Sequence, residues 1–221
     1  MRYDLIAHRC DLYDTEDLDQ RIRAQLYMEQ PSYYARYCEK YRSADPANLA
    51  LLKCFLDLSV NAELFHQHKT GIIIGTNDGI TVKQKQFTRL ALEGNSNPFV
   101  FRLTASNLLS SLLSIYLDTE EYSTTLIFAR REFKKYVDLS LRYIKVKEYD
   151  FMICGYIESM QAEKSYFSEL LIVGRAGLYK ESYFGSVGIT FIHRVQSAGE
   201  GESPLEVMNP DTFLNSMVKN N

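Results

Sequence analysis

The chain has no tryptophan, only five prolines and only four cysteines among its 221 residues. Cys10, Cys38, Cys54 and Cys154 lie far apart and form no CxxC pair, which argues against both a disulfide framework and a zinc site. Long apolar runs are missing as well. None approaches the ~20 residues that cross a bilayer, and the opening MRYDLIAHRCDLYD is too charged for a secretion signal. A cytoplasmic location with no membrane partner is the expectation. Neither sign of charge dominates: the formal net charge is −3, and this overall balance offers no reason to expect a nucleic acid partner. Internal repeats, low-complexity tracts and long linkers are absent too, so one domain over 1–221 is predicted. What the chain does hold is 46% hydrophobic residues, with 16 Tyr and 12 Phe, enough for a packed core whose large volume comes from rings.

The first 45 residues read as mixed and tyrosine-rich, with an acidic helix beginning near Asp14 and a loop-like PSYYARYCEKYRSADP. From Pro46, PANLALLKCFLDLSVNAELFHQH sets Leu51, Leu52, Phe55, Leu58, Ala62 and Phe65 at helical spacing, predicting a helix of ~18 residues that buries one side. GIIIGTNDG then reads as a buried strand closing in a turn, followed by a helix over 81–92 that stops at EGNSNP. FVFRLTASN leads into a third helix with Leu108, Leu109, Leu112, Leu113 and Tyr116 on its apolar face. Next come STTLIFA as a strand, REFKKYVDLSLRYIKVK as an amphipathic helix and YDFMICGYIE as a second buried strand. Strand, helix and strand in that order form a right-handed crossover between parallel strands, so the fold class is α/β with a mixed sheet. SELLIVGRAG and SVGITFIHRV read as further strands, and GEGESPLEVMNPDTF as surface chain.

Candidate chemistry is sparse. His66 and His68 are two apart, whereas two ligands on one helix face want three or four, so no metal is assigned. GTNDG lacks the glycine pattern of a phosphate loop and reads as a plain strand-to-helix turn. No GxSxG elbow occurs, and the serines from Ser111 to Ser114 read as a packing face. The KVK at 145–147 sits in a last helical turn, where cations complement the dipole. None of the four cysteines stands at a helix N-terminus as a nucleophile would, and His193 ends an apolar strand. No cofactor is expected.

The order of elements nevertheless resembles a known family. Helix, GIIIGT, FRLTASNLLSSLLSIYL with Asn107 ahead of its helix, STTLIFA, helix and YDFMICGYIES together resemble the N-terminal half of the β-ketoacyl synthases. They resemble most the short ketosynthase-like chain length factors of aryl polyene and other type II polyketide systems. The match spans about residues 46–160, and it implies a thiolase-like fold. Counting back from Ile153, the family's nucleophile slot falls on Arg130 within about one residue, and Ala129 and Arg131 offer no thiol or hydroxyl either. An arginine is a protonated donor and cannot attack a thioester. The family's two catalytic histidines belong to a C-terminal half that this chain is too short to copy in full.

The resemblance therefore implies a non-catalytic subunit that pairs with a β-ketoacyl synthase, and meets an acyl carrier protein through that complex. The rival readings are an acyltransferase or ketosynthase with an unusual nucleophile, and a self-associating scaffold. In the related complexes the strand equivalent to STTLIFA pairs across the subunit interface, which implies a contact at Thr124, Thr125, Leu126, Ile127 and Phe128, supported by Leu108, Leu112 and Ile115. An apolar edge strand left bare would invite aggregation, which fits that assignment. Phe133 and Tyr116 are the implied tunnel-facing residues.

Overall fold

The computed structural model describes residues 3–40, 44–77, 81–95, 98, 105, 108–160, 164–175, 178 and 193–195. In chain order the elements are β1 (Tyr3–Asp14), α1 (Leu18–Glu29), α2 (Pro31–Lys40), α3 (Pro46–Leu56), the single-turn α4 (Glu63–His66), β2 (Thr70–Thr76) and α5 (Thr81–Leu92). There follow α6 (Leu108–Leu117), β3 (Ser123–Ile127), α7 (Phe133–Lys147), β4 (Phe151–Met160), β5 (Ser165–Arg175) and β6 (His193–Val195). One six-stranded sheet in the order β3-β2-β4-β5-β1-β6 joins them. β2 pairs in parallel with both β3 and β4, while β5 runs antiparallel to β4 and to β1. The predicted crossover from β3 through α7 to β4 is present, with β2 inserted between the two strands it connects.

β2 explains why the sheet is two-sided. Each residue of TGIIIGT is buried, with Ile72 and Ile74 in one core and Ile73 in the other. Residues of a strand alternate between faces, so a continuously apolar strand belongs at the centre of a covered sheet. The larger core lies under α1, α3, α4 and α6, and contains Leu18, Ile22, Leu26, Phe55, Phe65, Leu113 and Tyr116. The smaller core lies under α7, where Tyr136, Val137, Leu141 and Ile144 meet Ile73, Met152, Cys154, Leu171 and Val173. The apolar stripe expected along this helix thus faces the sheet, with Ser140 also buried and Phe133 half-buried.

Three expectations need correction. The helix from Pro46 has 11 residues, and it is buried on nearly all sides, because it sits between the sheet and the neighbouring helices. Asp45 starts it by accepting from Ala47 N at 3.0 Å, and beyond Leu56 the chain turns away through Ser59 at φ 54°, re-forming one helical turn at Glu63–His66. The supposed loop at 31–46 is largely helix α2, for which Pro31 is a compatible opening residue and whose Tyr37 is fully buried. The opening MRYDLIAHRCDLYD, read only as charged, supplies the long strand β1; the helix expected near Asp14 begins at Leu18. Asn107, most of FVFRLTASN and the GEGESPLEVMNPDTF segment fall outside the described residues. Among the described residues no helix is long and apolar enough to cross a membrane.

Candidate functional site

β3 is an edge strand: it has β2 on one side and no neighbour on the other in the described sheet. Thr124 and Leu126 turn towards the α7 side, while Thr125 turns towards α6, where its hydroxyl donates to Ser110 Oγ at 3.1 Å. Ile127, at the end of the strand, is 67% exposed. Phe128 leaves the edge and packs edge-on against Tyr136, 5.0 Å between centroids. On α6, Ile115 is 41% exposed, whereas Leu108 and Leu112 are half-buried against the larger core. The outermost apolar side chains of the expected contact are therefore Ile127 and Ile115.

After Phe128 the chain passes through Ala129 into one 3-10 turn, Arg130–Glu132, that runs directly into α7. Arg130 thus stands where a strand delivers the chain to a helix N-terminus. Its guanidinium lies 3.7 Å from the centroid of the Phe167 ring, and its Nε is 4.0 Å from Glu169 Oε2. Glu169 Oε1 in turn accepts from His8 Nε2 at 2.9 Å, and the His8 and Glu169 side chains are only 7% and 15% exposed. The contact joins β5 and β1 to the β3–α7 junction. Stacking on an aromatic face and pairing with a carboxylate are both geometries that a planar guanidinium favours. Arg130 itself remains 55% exposed.

Three of the four cysteines are held in the thiol form. Burial pushes the Cys54 thiol up to about 12, outweighing the opposing influence of the neighbouring Ser168 and Tyr13, and the thiol donates to the Ser168 carbonyl at 3.7 Å. Burial does the same to Cys154, also to about 12, although its Sγ lies 2.9 Å from Ser140 Oγ. Cys10 is paired across the sheet with Glu169; burial and that carboxylate raise its pKa, with Arg130 pulling the other way. The thiolate is the reactive form, so each shift lowers reactivity at neutral pH. Cys38 lies on α2, where its sulfur accepts from Arg23 Nη1 at 3.1 Å.

The two tunnel candidates do not meet. Phe133 packs with the α7-side cluster, near Tyr136 at 6.1 Å between centroids. Tyr116 is fully buried on the opposite face of the sheet, where it packs on Tyr33 and Phe55 and donates to Gln30 Oε1 at 2.8 Å. His66 and His68 also diverge: His66 Nδ1 lies 3.1 Å from the Asp118 carbonyl, and His68 packs edge-on against Phe151. Sequence reasoning singled out Arg130 and did not name His8, Phe167 or Glu169, which the structure brings beside it. They sit 122, 37 and 39 residues away along the chain, and only the pairing of β1 with β5 gathers them.

No protein-family model matches this chain, and no curated protein matches it in sequence. Solved structures do match it in fold. A ketosynthase (ApeO) in complex with its chain length factor (ApeC) from Xenorhabdus doucetiae aligns with a TM-score of 0.52 at 13% identity. That alignment covers 80% of this chain and 81% of the matched one. The ishigamide ketosynthase/chain length factor aligns at 0.56 and 13% identity, over 80% of this chain and 63% of that one. The fold is ketosynthase-like. Its α/β, thiolase-like character accords with the expectation from the order of strands and helices. A third match, ketosynthase twelve of the bacillaene polyketide synthase in Bacillus amyloliquefaciens, aligns at 0.52 and 10% identity. That alignment covers 79% of this chain but only 41% of the larger matched one.

Proposed function

We propose that this chain is a non-catalytic, ketosynthase-like subunit that pairs with a β-ketoacyl synthase as a chain length factor, in type II polyketide assembly of the aryl polyene kind. The observation that carries the reading is the occupant of the strand-to-helix junction. Arg130 stands there with its guanidinium stacked on Phe167 and steered by Glu169, so the junction holds a cation that cannot form an acyl-enzyme. The elevated pKa values of Cys10, Cys54 and Cys154 support it, since none supplies a substitute thiolate. A second support is the likeness in fold to the ApeO–ApeC complex, in an alignment that covers 80% of this chain and 81% of the matched one.

On this reading the partner contact runs along Thr124–Phe128, with Ile127 and Ile115 as its outermost apolar side chains, and a strand of the ketosynthase pairs with the β3 edge. Leu108 and Leu112 support α6 from beneath. Phe133, next to the Arg130 turn, is the tunnel-facing residue of this subunit, and carrier-bound acyl chains reach it through the complex. Intact-mass analysis after incubation with an acyl thioester tests the absence of covalent chemistry: no stable adduct is expected on this chain alone, and acylation would sink the proposal. Co-expression with ketosynthases followed by native mass spectrometry tests the pairing. A heterodimer is expected; a homodimer that ignores every ketosynthase would instead make the chain a self-associating scaffold.

A further inference from the structure

Besides its buried face and its charged outer face, α7 has an apolar flank. Leu139, Tyr143 and Val146 recur at intervals of four and three residues, which places them on one line along the helix. Tyr143 fixes the direction of that line, because it stacks on Tyr122 at 4.7 Å between centroids. Tyr122 is the residue before β3, so the line runs along the rim of the sheet, above the edge strand. Leu139 and Tyr143 are half-buried there with Tyr122, Leu126 and Phe128, and Val146 is 70% exposed. At the first turn of the same flank Lys135 donates to Glu132 at 2.6 Å, so this pair brings the rim no net charge. Single exposed apolar side chains are ordinary on a protein surface, whereas three in line at a spacing of four and three are the pattern by which one helix seats another.

We propose that this flank of α7 is a second part of the partner contact, and that it seats a helix of the subunit that pairs with β3, one with an apolar seam of its own. The inference rests on the pairing proposed above and adds a surface to it. A strand set against β3 continues the sheet by ~4.8 Å, and each further strand of the partner continues it by as much again. Apolar strands of this kind are covered on both faces, as β2 is here, and a covering helix is about 10 Å wide. The helix over the partner's first strands therefore comes to lie beside α7, about 8–10 Å from axis to axis. Leu139, Tyr143 and Val146 are the side chains that it meets. On the opposite face the same extension of the sheet brings the partner against Ile115 of α6, which is 41% exposed. The rim of this chain is thus apolar above and below β3. The line on α7 carries no charged side chain, which suits an apolar seam and not a charged segment.

The test uses the full chain co-expressed with a ketosynthase, and reads the dissociation constant of the pair by native mass spectrometry over a dilution series. Val146→Asp should weaken the pair about tenfold or more, because it sets an unpaired carboxylate into an apolar seam. Val146→Leu should keep the affinity within about twofold, and so should Lys145→Gln, which lies ~100° round the helix on the outer face. Circular dichroism and thermal unfolding of the isolated chain should be unaltered in all three, since Val146 and Lys145 are exposed there. If Ile127→Asp breaks the pair and Val146→Asp leaves it intact, the flank lies outside the contact and the inference is overturned while the pairing stands. Equal losses from Lys145→Gln and Val146→Asp would overturn it too, by making the effect one of charge. If the unaltered chain pairs with no ketosynthase, the pairing itself falls and takes the inference with it.

Discussion

Gly75 lies under Tyr136, and the lack of a side chain there is what lets the ring reach the sheet. A Cβ on Gly75 would sit 2.5 Å from the Tyr136 Cζ and 2.6 Å from its hydroxyl. Tyr136 is fully buried and wedged by Phe128 and Phe133, so it has little room to withdraw. Gly75→Ala is therefore expected to cost roughly 1–3 kcal/mol, the usual range for overpacking a core. Denaturant unfolding would measure it, and an unchanged midpoint would mean that the ring yields freely. At this scale little was legible in advance. GIIIGT announces a buried strand, but which of its glycines meets a ring depends on where α7 crosses the sheet. The Arg130–Glu169–His8 contact is similar: each residue type is ordinary by itself, and the chemistry arises from three distant segments meeting.

Among the elements, α3 and β3 show two ways in which local pattern and tertiary setting divide the work. The α3 start is written in the sequence: Asp45 before Pro46 is a cap followed by a residue that suits the first turn, and the Asp45 carboxylate does accept from Ala47 N. Asp45→Ala should cost about 1 kcal/mol, up to ~2, read as a lower denaturation midpoint with an unchanged slope. No loss would mean that the cap is replaced by other contacts. The end of α3 was not legible, because Leu58, Ala62 and Phe65 continue the helical spacing across a break at Ser59. Periodicity reports which side chains go inward, and it stays intact when a helix ends in a turn that keeps them there. Charge in MRYDLIAHRCDLYD likewise hid β1, since Cys10, Asp11 and Leu12 are exposed in succession and a register shift between Leu5 and Ala7 breaks the alternation.

β3 is the converse case, an element whose type was legible and whose role depends on what lies beside it. With Ile127 67% exposed, Ile127→Asp changes little within the monomer, and it should leave thermal unfolding of the isolated chain within about 0.5 kcal/mol. If a ketosynthase strand pairs along this edge, the same change buries an unpaired carboxylate, and the association should weaken by several kcal/mol. Pull-down and native mass spectrometry of the co-expressed pair give the answer. A complex that survives intact would move the interface elsewhere on the chain.

For the whole molecule, the two-core design sets a limit on alkaline stability. The cores rely on groups whose neutral forms are enforced by burial: the Cys54 and Cys154 thiols, both held up to about 12, and the hydroxyls of Tyr13, Tyr37 and Tyr116, all raised mainly by burial. In the unfolded chain the thiols release their protons near pH 9, and the tyrosines near 10. Between those values and the folded ones the native state binds more protons than the unfolded state, so unfolding becomes easier as pH rises. The stability these thiols contribute is fully present below about pH 9, and each thiol can lower it by at most ~1.4 kcal/mol per pH unit up to about 12. Guanidinium midpoints should therefore stay level from pH 7 to about 8.5 and fall progressively above it. The fall should be shallower in Cys154→Ala, which removes one such proton from the balance, even though that variant starts from a lower stability because of its cavity. A midpoint that stays level to pH 11, or a slope that Cys154→Ala leaves unchanged, would show that these buried groups do not control the alkaline limit.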